Sequence, residues 1–204
     1  MSAGLRTLVA LTLVARAASA QDPRLAQRLD KPTYVAVNAI VDSARVAKLP
    51  TAPLVDKALE GAAKGSDGQR IVSAVHLLSV RMATSRRALG SSATGDEIKA
   101  AATALGAGMS ARDLARLRTA SGRRPVTMPL AVAIDLIGRD VPVATATSLM
   151  VQLERSGVKD TDLAVFQRNV RADIDRGADP TVAATTRARG LVARSGPAAP
   201  KPSE

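Results

Sequence analysis

The sequence contains no cysteine and no tryptophan, and it has one tyrosine, one phenylalanine and one histidine. The absence of cysteine excludes disulfides, thiolate metal sites and a cysteine nucleophile. Metal sites without cysteine usually need two or more histidines, so we expect the single His76 to have a structural or surface role. There is also no Gly-x-Ser-x-Gly nucleophile motif and no glycine-rich phosphate loop with its lysine. The sequence therefore predicts a protein without a cofactor, a catalytic residue or enzymatic activity.

The shortage of aromatic residues also limits the core. Each buried aromatic side chain would remove roughly 150–250 Å² from water, whereas 40 of the 204 residues here are alanine. Alanine has the highest helix propensity, and no segment shows sustained alternation of apolar and polar residues. We predict an all-α fold without a sheet. About eight to nine short amphipathic helices should form an irregular bundle or a helical-hairpin array with an alanine-rich core.

The N-terminal residues 1–20 have the pattern of a secretory signal peptide. Arg6 precedes an apolar run, and small residues at 18–20 precede Gln21. The run is too short for a transmembrane helix, which needs ~20 apolar residues; an ordinary amphipathic helix is the alternative. We predict cleavage between Ala20 and Gln21, export to the periplasm or the medium, and no transmembrane segment thereafter. The remainder is predicted to be a linker (21–29), a single all-helical domain (30–194) and a disordered tail (195–204).

Helix starts are marked by residues whose side chains can cap the first turn. A capping side chain accepts a hydrogen bond from an otherwise unpaired N–H group of that turn. Thr94 and Glu97 have the spacing of a capping box, in which two such bonds are reciprocal. The predicted caps are Asp30, Thr51, Thr94, Ser110 and Asp160.

Four of the helix entrances share a pattern. Pro50, Ser110, Pro142 and Pro180 each start a helix and are followed four residues later by an apolar residue. Recurring units of this kind are typical of helical-hairpin repeats, and they predict tandem hairpins over residues 126–157 and 161–193. Capping chemistry alone produces the same punctuation in an alanine-rich helical protein. True duplication and coincidence are therefore both open.

The most distinctive local pattern is the run Leu49-Pro50-x-x-Pro53-Leu54-x-x-Lys57-x-x-Glu60-Gly61-x-x-Lys64-Gly65. This stretch of residues 49–65 resembles a segment of uncharacterised exported bacterial proteins that are all-helical. The resemblance implies export and helical structure. It implies no activity, because that family has none that could be transferred.

The acidic residues have ordinary roles in helices. Asp160 and Asp162 precede or open a helix, where negative charge favours the helix dipole. Glu60 lies four residues before Lys64, which is the favourable order for an ion pair on a helix. Asp173 and Asp175 are two residues apart and point in different directions on a helix. A carboxylate-dependent hydrolase or lyase of envelope polymers is nevertheless kept as an alternative.

Positive charge is the most informative feature of the composition. The formal net charge is +11, and 22 of the 29 basic residues are arginine. Residues 81–124 contain nine basic and three acidic residues. Such a cluster can attract phosphates, anionic lipid head groups or an acidic protein, although a GC-rich genome and a solvated surface would also explain scattered arginines. The candidate anionic-partner patch consists of Arg86, Arg87, Arg112, Arg116, Arg118, Arg123 and Arg124.

These observations predict an exported, non-enzymatic interaction or structural protein of the bacterial cell envelope. Its expected partner is an acidic protein or an anionic envelope surface. One alternative is the carboxylate-dependent enzyme, and another is a binder of anionic lipid or nucleic acid through the arginine-rich segment. Nucleic acid is the less expected ligand, because the chain lacks the aromatic side chains on which single-stranded bases stack.

Overall fold

The computed structural model describes residues 22–195, and ten α-helices make up most of this range. No strand occurs between residues 22 and 195, so the all-α prediction is confirmed. The helices are α1 (Pro23–Arg28), α2 (Lys31–Val46), α3 (Ala52–Ala63), α4 (Gly68–Leu89), α5 (Gly95–Gly106), α6 (Ala111–Ser121), α7 (Thr127–Ile137), α8 (Val143–Arg155), α9 (Asp160–Asp175) and α10 (Pro180–Ser195).

The predicted count of eight to nine helices is too low, because α1 lies within the predicted linker 21–29. The Asp22 side chain accepts a hydrogen bond from the Arg24 N–H at 3.0 Å, and Pro23 occupies the first turn. Leu25 is fully buried, and α1 packs against α2 and α3. Capping and the burial of one leucine therefore order this short helix. The predicted signal peptide with its cleavage site, and the predicted tail apart from Ser195, lie outside the described residues.

The helices alternate between two layers. In the even layer, α2, α4, α6, α8 and α10 each pack against the next member. The odd layer contains α3, α5, α7 and α9, in which α5 packs on α7 and α7 on α9, while α1 packs against α3. Contacts between α3 and α4, α7 and α8, and α9 and α10 join the layers. The last two pairs coincide with the predicted hairpins at 126–157 and 161–193.

In the described part of the chain, the core consists mainly of aliphatic side chains, and ten of its buried residues are alanine. Buried residues form one cluster around α1–α4 and a second around α6–α10, and α5 contributes to both: Ile98 and Ala102 to the first, Ala101 and Ala104 to the second. Phe166 is buried in the second cluster, whereas Tyr34 is only partly buried beside the first. Fully buried Ala101, Ala104 and Ala133 have short side chains, which lets neighbouring helix backbones approach closely.

The helix ends follow a regular scheme. Each of α2–α9 is followed by one residue with a left-handed backbone; six of these are glycine, and the other two are Lys48 and Asp140. In several cases the next residue is apolar and buried, and its N–H bonds back to the preceding helix, as in a Schellman motif. Leu49 N–H donates to the Ala44 carbonyl at 2.9 Å, and Val158 N–H donates to the Leu153 carbonyl at 3.2 Å. Three of the four repeated entrances, Pro50, Ser110 and Pro142, therefore come directly after such a helix end.

Most predicted helix caps are confirmed. The Asp30 side chain accepts from the Thr33 N–H at 2.9 Å, and Thr94 and Ser110 both take part in capping boxes. Thr51 was predicted wrongly, because Pro53 has no N–H to donate and the Leu54 N–H already bonds to the Thr51 carbonyl at 3.0 Å.

The prediction for Asp160 was also wrong. Lys159 occupies the capping position, and Asp160 is the first residue of α9. Its carboxylate lies in the first turn, where it favours the helix dipole without accepting a capping bond.

Two glycine-to-alanine substitutions should have opposite effects on stability. Gly157 has φ +72° and open space around the position of a Cβ, so Gly157→Ala should lower the free energy of unfolding by about 1–2 kcal/mol through backbone strain alone. Gly190 lies inside α10, where alanine is favoured, so Gly190→Ala should raise it by roughly 0.5–1 kcal/mol. Urea denaturation measures both values, and changes of the same sign would contradict the assigned helix end.

Candidate functional site

Charge is divided unequally between the two layers. The even helices contain thirteen basic and three acidic residues, a net charge of +10. The odd helices α3, α5, α7 and α9 contain four basic and nine acidic residues, a net charge of −5. The excess positive charge of the protein therefore belongs to one layer, whose exposed side presents a basic surface.

The neighbouring helices α4 and α6 both contribute exposed arginines to this basic surface. On α4, Leu77, Val80 and Arg87 are exposed and follow one another at helical spacing. On α6, Arg112 and Arg116 are exposed and four residues apart. Because α4 and α6 are neighbours in the even layer, we refer to these five residues as the α4–α6 face.

The seven arginines of the predicted patch have different environments. Arg87, Arg112, Arg116 and Arg123 are exposed, Arg86 is partly buried, and the remaining two are bound to buried glutamates. The exposed arginines are only weakly engaged: Arg87 donates to Thr84 Oγ1 at 3.0 Å, and Arg116 Nη1 lies 3.6 Å from Asp113. Their charge is available to a partner.

Arg86, Arg118 and Arg124 instead join parts of the fold. Arg86 Nη1 donates to the Lys48 carbonyl at 2.9 Å, which ties the end of α4 to the loop after α2. Arg118 donates to the Arg124 carbonyl, across the turn after α6. These arginines therefore hold loops rather than a ligand.

Glu97 is the buried partner of Arg118. Its side chain accepts from the Thr94 N–H at 2.9 Å and from the Val126 N–H at 3.0 Å, and Arg118 Nη2 lies at 3.4 Å. Burial raises the pKa of Glu97, but these two N–H groups and the Arg118 guanidinium outweigh it, so the pKa lies below its ordinary value. Glu97 is thus a carboxylate that connects the start of α5 to α6 and to the start of α7.

Glu154 is the buried partner of Arg124. Arg124 Nη2 lies 2.9 Å from Glu154 Oε2, and Arg124 Nη1 donates to the Val158 carbonyl at 3.0 Å. The Glu154 side chain is 1% exposed and that of Arg124 is 42% exposed, so the pair joins a buried carboxylate to a guanidinium group at the surface. The turn after α6 is thereby attached to the end of α8 and to the loop that follows it.

Sequence reasoning missed both buried glutamates as partners of these arginines. The sequence pattern identified Glu97 only as a member of a capping box. The same carboxylate also accepts a hydrogen bond from the N–H of Val126, 29 positions away. For Glu154 a signal did exist: Thr147, Met150 and Val151 place it on the buried stripe of α8. A charge on an apolar stripe predicts a buried ionic partner, but it does not identify that partner.

A groove on the odd layer brings three acidic side chains together. It encloses about 520 Å³ between α3 and α5, with Leu78 and Met82 of α4 among its lining residues and Asp56, Glu60 and Asp96 around it. Lys57 and Lys64 lower the pKa of Glu60 to about 2, so this carboxyl group is ionised at neutral pH and is unsuited to donate a proton.

The remaining titratable groups give no independent support for a reaction centre. Within residues 22–195, every acidic side chain whose pKa departs clearly from its ordinary value has it lowered, the reverse of what a general acid needs. His76 is exposed on α4. In this range no group of three or more acidic or histidine side chains is placed to hold a metal ion, and none of the described helices is long and apolar enough to cross a membrane.

Comparison with known proteins gives no match: no family model, no curated protein and no solved structure is significantly similar to the chain.

Replacing Glu97 should expose its structural role. Glu97→Gln keeps the shape but leaves the Arg118 guanidinium without its anionic partner, and it should lower the free energy of unfolding at pH 7 by about 3 kcal/mol. The pKa of Glu97 is lowered in the folded state, so its contribution is fully present above the ordinary value near 4.5 and is lost as pH falls through the lowered pKa.

Urea denaturation from pH 7 to pH 3 measures this dependence. The difference between wild type and Glu97→Gln should be constant above about pH 5 and shrink below pH 4.5. The matched control is Glu60→Gln on the exposed face of α3, which should leave stability nearly unchanged. Equal effects of the two substitutions would contradict the assigned role of Glu97.

Proposed function

We propose that this chain is a non-enzymatic interaction protein of the cell envelope that binds an anionic partner through its even layer. The observation that carries the proposal is the segregation of charge, +10 on the even helices against −5 on α3, α5, α7 and α9. Fixed charges of one sign on one surface steer oppositely charged partners and hold them by electrostatic attraction. An acidic protein and an anionic envelope surface both have the required chemistry.

The α4–α6 face is the part of the even layer that we expect to contact the partner. Its arginines project from regular helices, so their positions are set by the backbone rather than by a mobile loop. A guanidinium group binds carboxylate or phosphate with two parallel hydrogen bonds, which suits either kind of partner. Location at the envelope is supported by the signal-peptide pattern at residues 1–20, and the signal itself remains a prediction.

The proposal predicts salt-sensitive binding to a washed envelope fraction. In a sedimentation assay, a triple variant with Arg87→Gln, Arg112→Gln and Arg116→Gln should bind at least about tenfold more weakly than wild type at low salt, because three unscreened attractions are lost. At about 1 M salt, where the screening length is ~3 Å, both proteins should bind weakly.

The matched control removes three positive charges from elsewhere. Arg28, Lys99 and Arg168 are exposed on α1, α5 and α9, and their replacement by glutamine lowers the net charge by the same amount. This control should bind like wild type. Equal losses in the two triple variants would show that net charge alone governs binding and would contradict a specific role of the even layer.

A further inference from the structure

The α4–α6 face combines arginines with exposed apolar side chains. Leu77 is 49% exposed and Val80 is 47% exposed, and both lie on the same stripe of α4 as Arg87. The described part of the chain has six exposed large hydrophobic residues, and four of them belong to α2 and α4. The apolar exposure is therefore concentrated on two neighbouring helices of the basic layer.

Each component of this face suits one part of an anionic bilayer surface. Exposed arginines can contact lipid phosphates, and each basic side chain near such a surface contributes to binding. Leucine and valine on the same stripe can enter the boundary between head groups and acyl chains, as on the apolar side of an interfacial helix. A soluble polyanion would use the arginines but would leave Leu77 and Val80 in water.

We propose that the α4–α6 face binds the surface of a bilayer that contains anionic phospholipid. This inference rests on the proposed function and specifies the chemistry of the partner. The arginines bind phosphate groups, while Leu77 and Val80 insert between the head groups. The adjacent α2 carries two further exposed apolar side chains, Val35 and Val46.

Vesicle flotation tests the charge requirement. The protein is mixed with vesicles of phosphatidylcholine alone or with vesicles of equal amounts of phosphatidylcholine and phosphatidylglycerol. Binding to the anionic vesicles is expected, with little binding to the neutral ones. The variant with Arg87, Arg112 and Arg116 changed to glutamine should bind the anionic vesicles about a hundredfold more weakly. Equal binding to both vesicle types would overturn the inference.

A second pair of variants separates lipid insertion from simple electrostatic attraction. Leu77→Ser with Val80→Ser should weaken binding to anionic vesicles several-fold and leave binding to long-chain polyphosphate unchanged. The matched control is Val165→Ser with Val182→Ser, which changes two similarly exposed valines on α9 and α10. The control should bind vesicles like wild type. Circular dichroism verifies that each variant is folded.

The possible failures are distinguishable. Vesicle binding that is unaffected by the Leu77 and Val80 substitutions would overturn lipid insertion. Binding to the envelope fraction without binding to anionic vesicles would also overturn the lipid inference, while the proposed function would stand with an acidic protein as the partner. If the arginine variant binds the envelope fraction and the anionic vesicles as well as wild type does, both the lipid inference and the proposed function are overturned.

Discussion

The structure depends on two ion pairs of buried glutamates in the middle of the helix array. Arg118 and Glu97 are both largely buried, whereas Arg124, the partner of Glu154, has a side chain that is 42% exposed. A buried pair is a weak net stabiliser, but removing one partner leaves an uncompensated charge and costs several kcal/mol. The pairs connect α5, α6, the start of α7 and the end of α8. They fix the position of α6 relative to its neighbours in the even layer. Arg112 and Arg116 lie on the side of α6 that remains exposed.

This constraint divides the arginines into two groups with different tasks. Arg118 and Arg124 point towards glutamates and backbone carbonyls, whereas Arg87, Arg112 and Arg116 remain on the surface. A GC-rich genome would account for a large number of arginines, but it does not account for their concentration on alternate helices. The charge difference between the layers is thus a property of the fold, and it supports the proposed binding surface.

Local chemistry made much of the fold predictable from sequence. Asp30, Thr94 and Ser110 identified three helix starts, because a cap and its N–H donor are three residues apart. The site was less predictable. Seven arginines could be named as candidates, but the role of Arg124 depends on Glu154, which lies thirty positions further along the chain. No periodicity links such residues. Similarly, Lys48 has a left-handed backbone at the end of α2, a position where most other helices have glycine.

Because the chain contains no cysteine, site-specific labelling can test whether the even layer is the binding side. Ser73 on α4 and Ala131 on α7 are both exposed, one in each layer. Ser73→Cys and Ala131→Cys would each carry one fluorophore whose emission reports its surroundings. On addition of vesicles containing phosphatidylglycerol, the fluorophore emission should shift to the blue at position 73 and should not shift at position 131. A shift confined to position 131, or equal shifts at both positions, would contradict binding through the even layer.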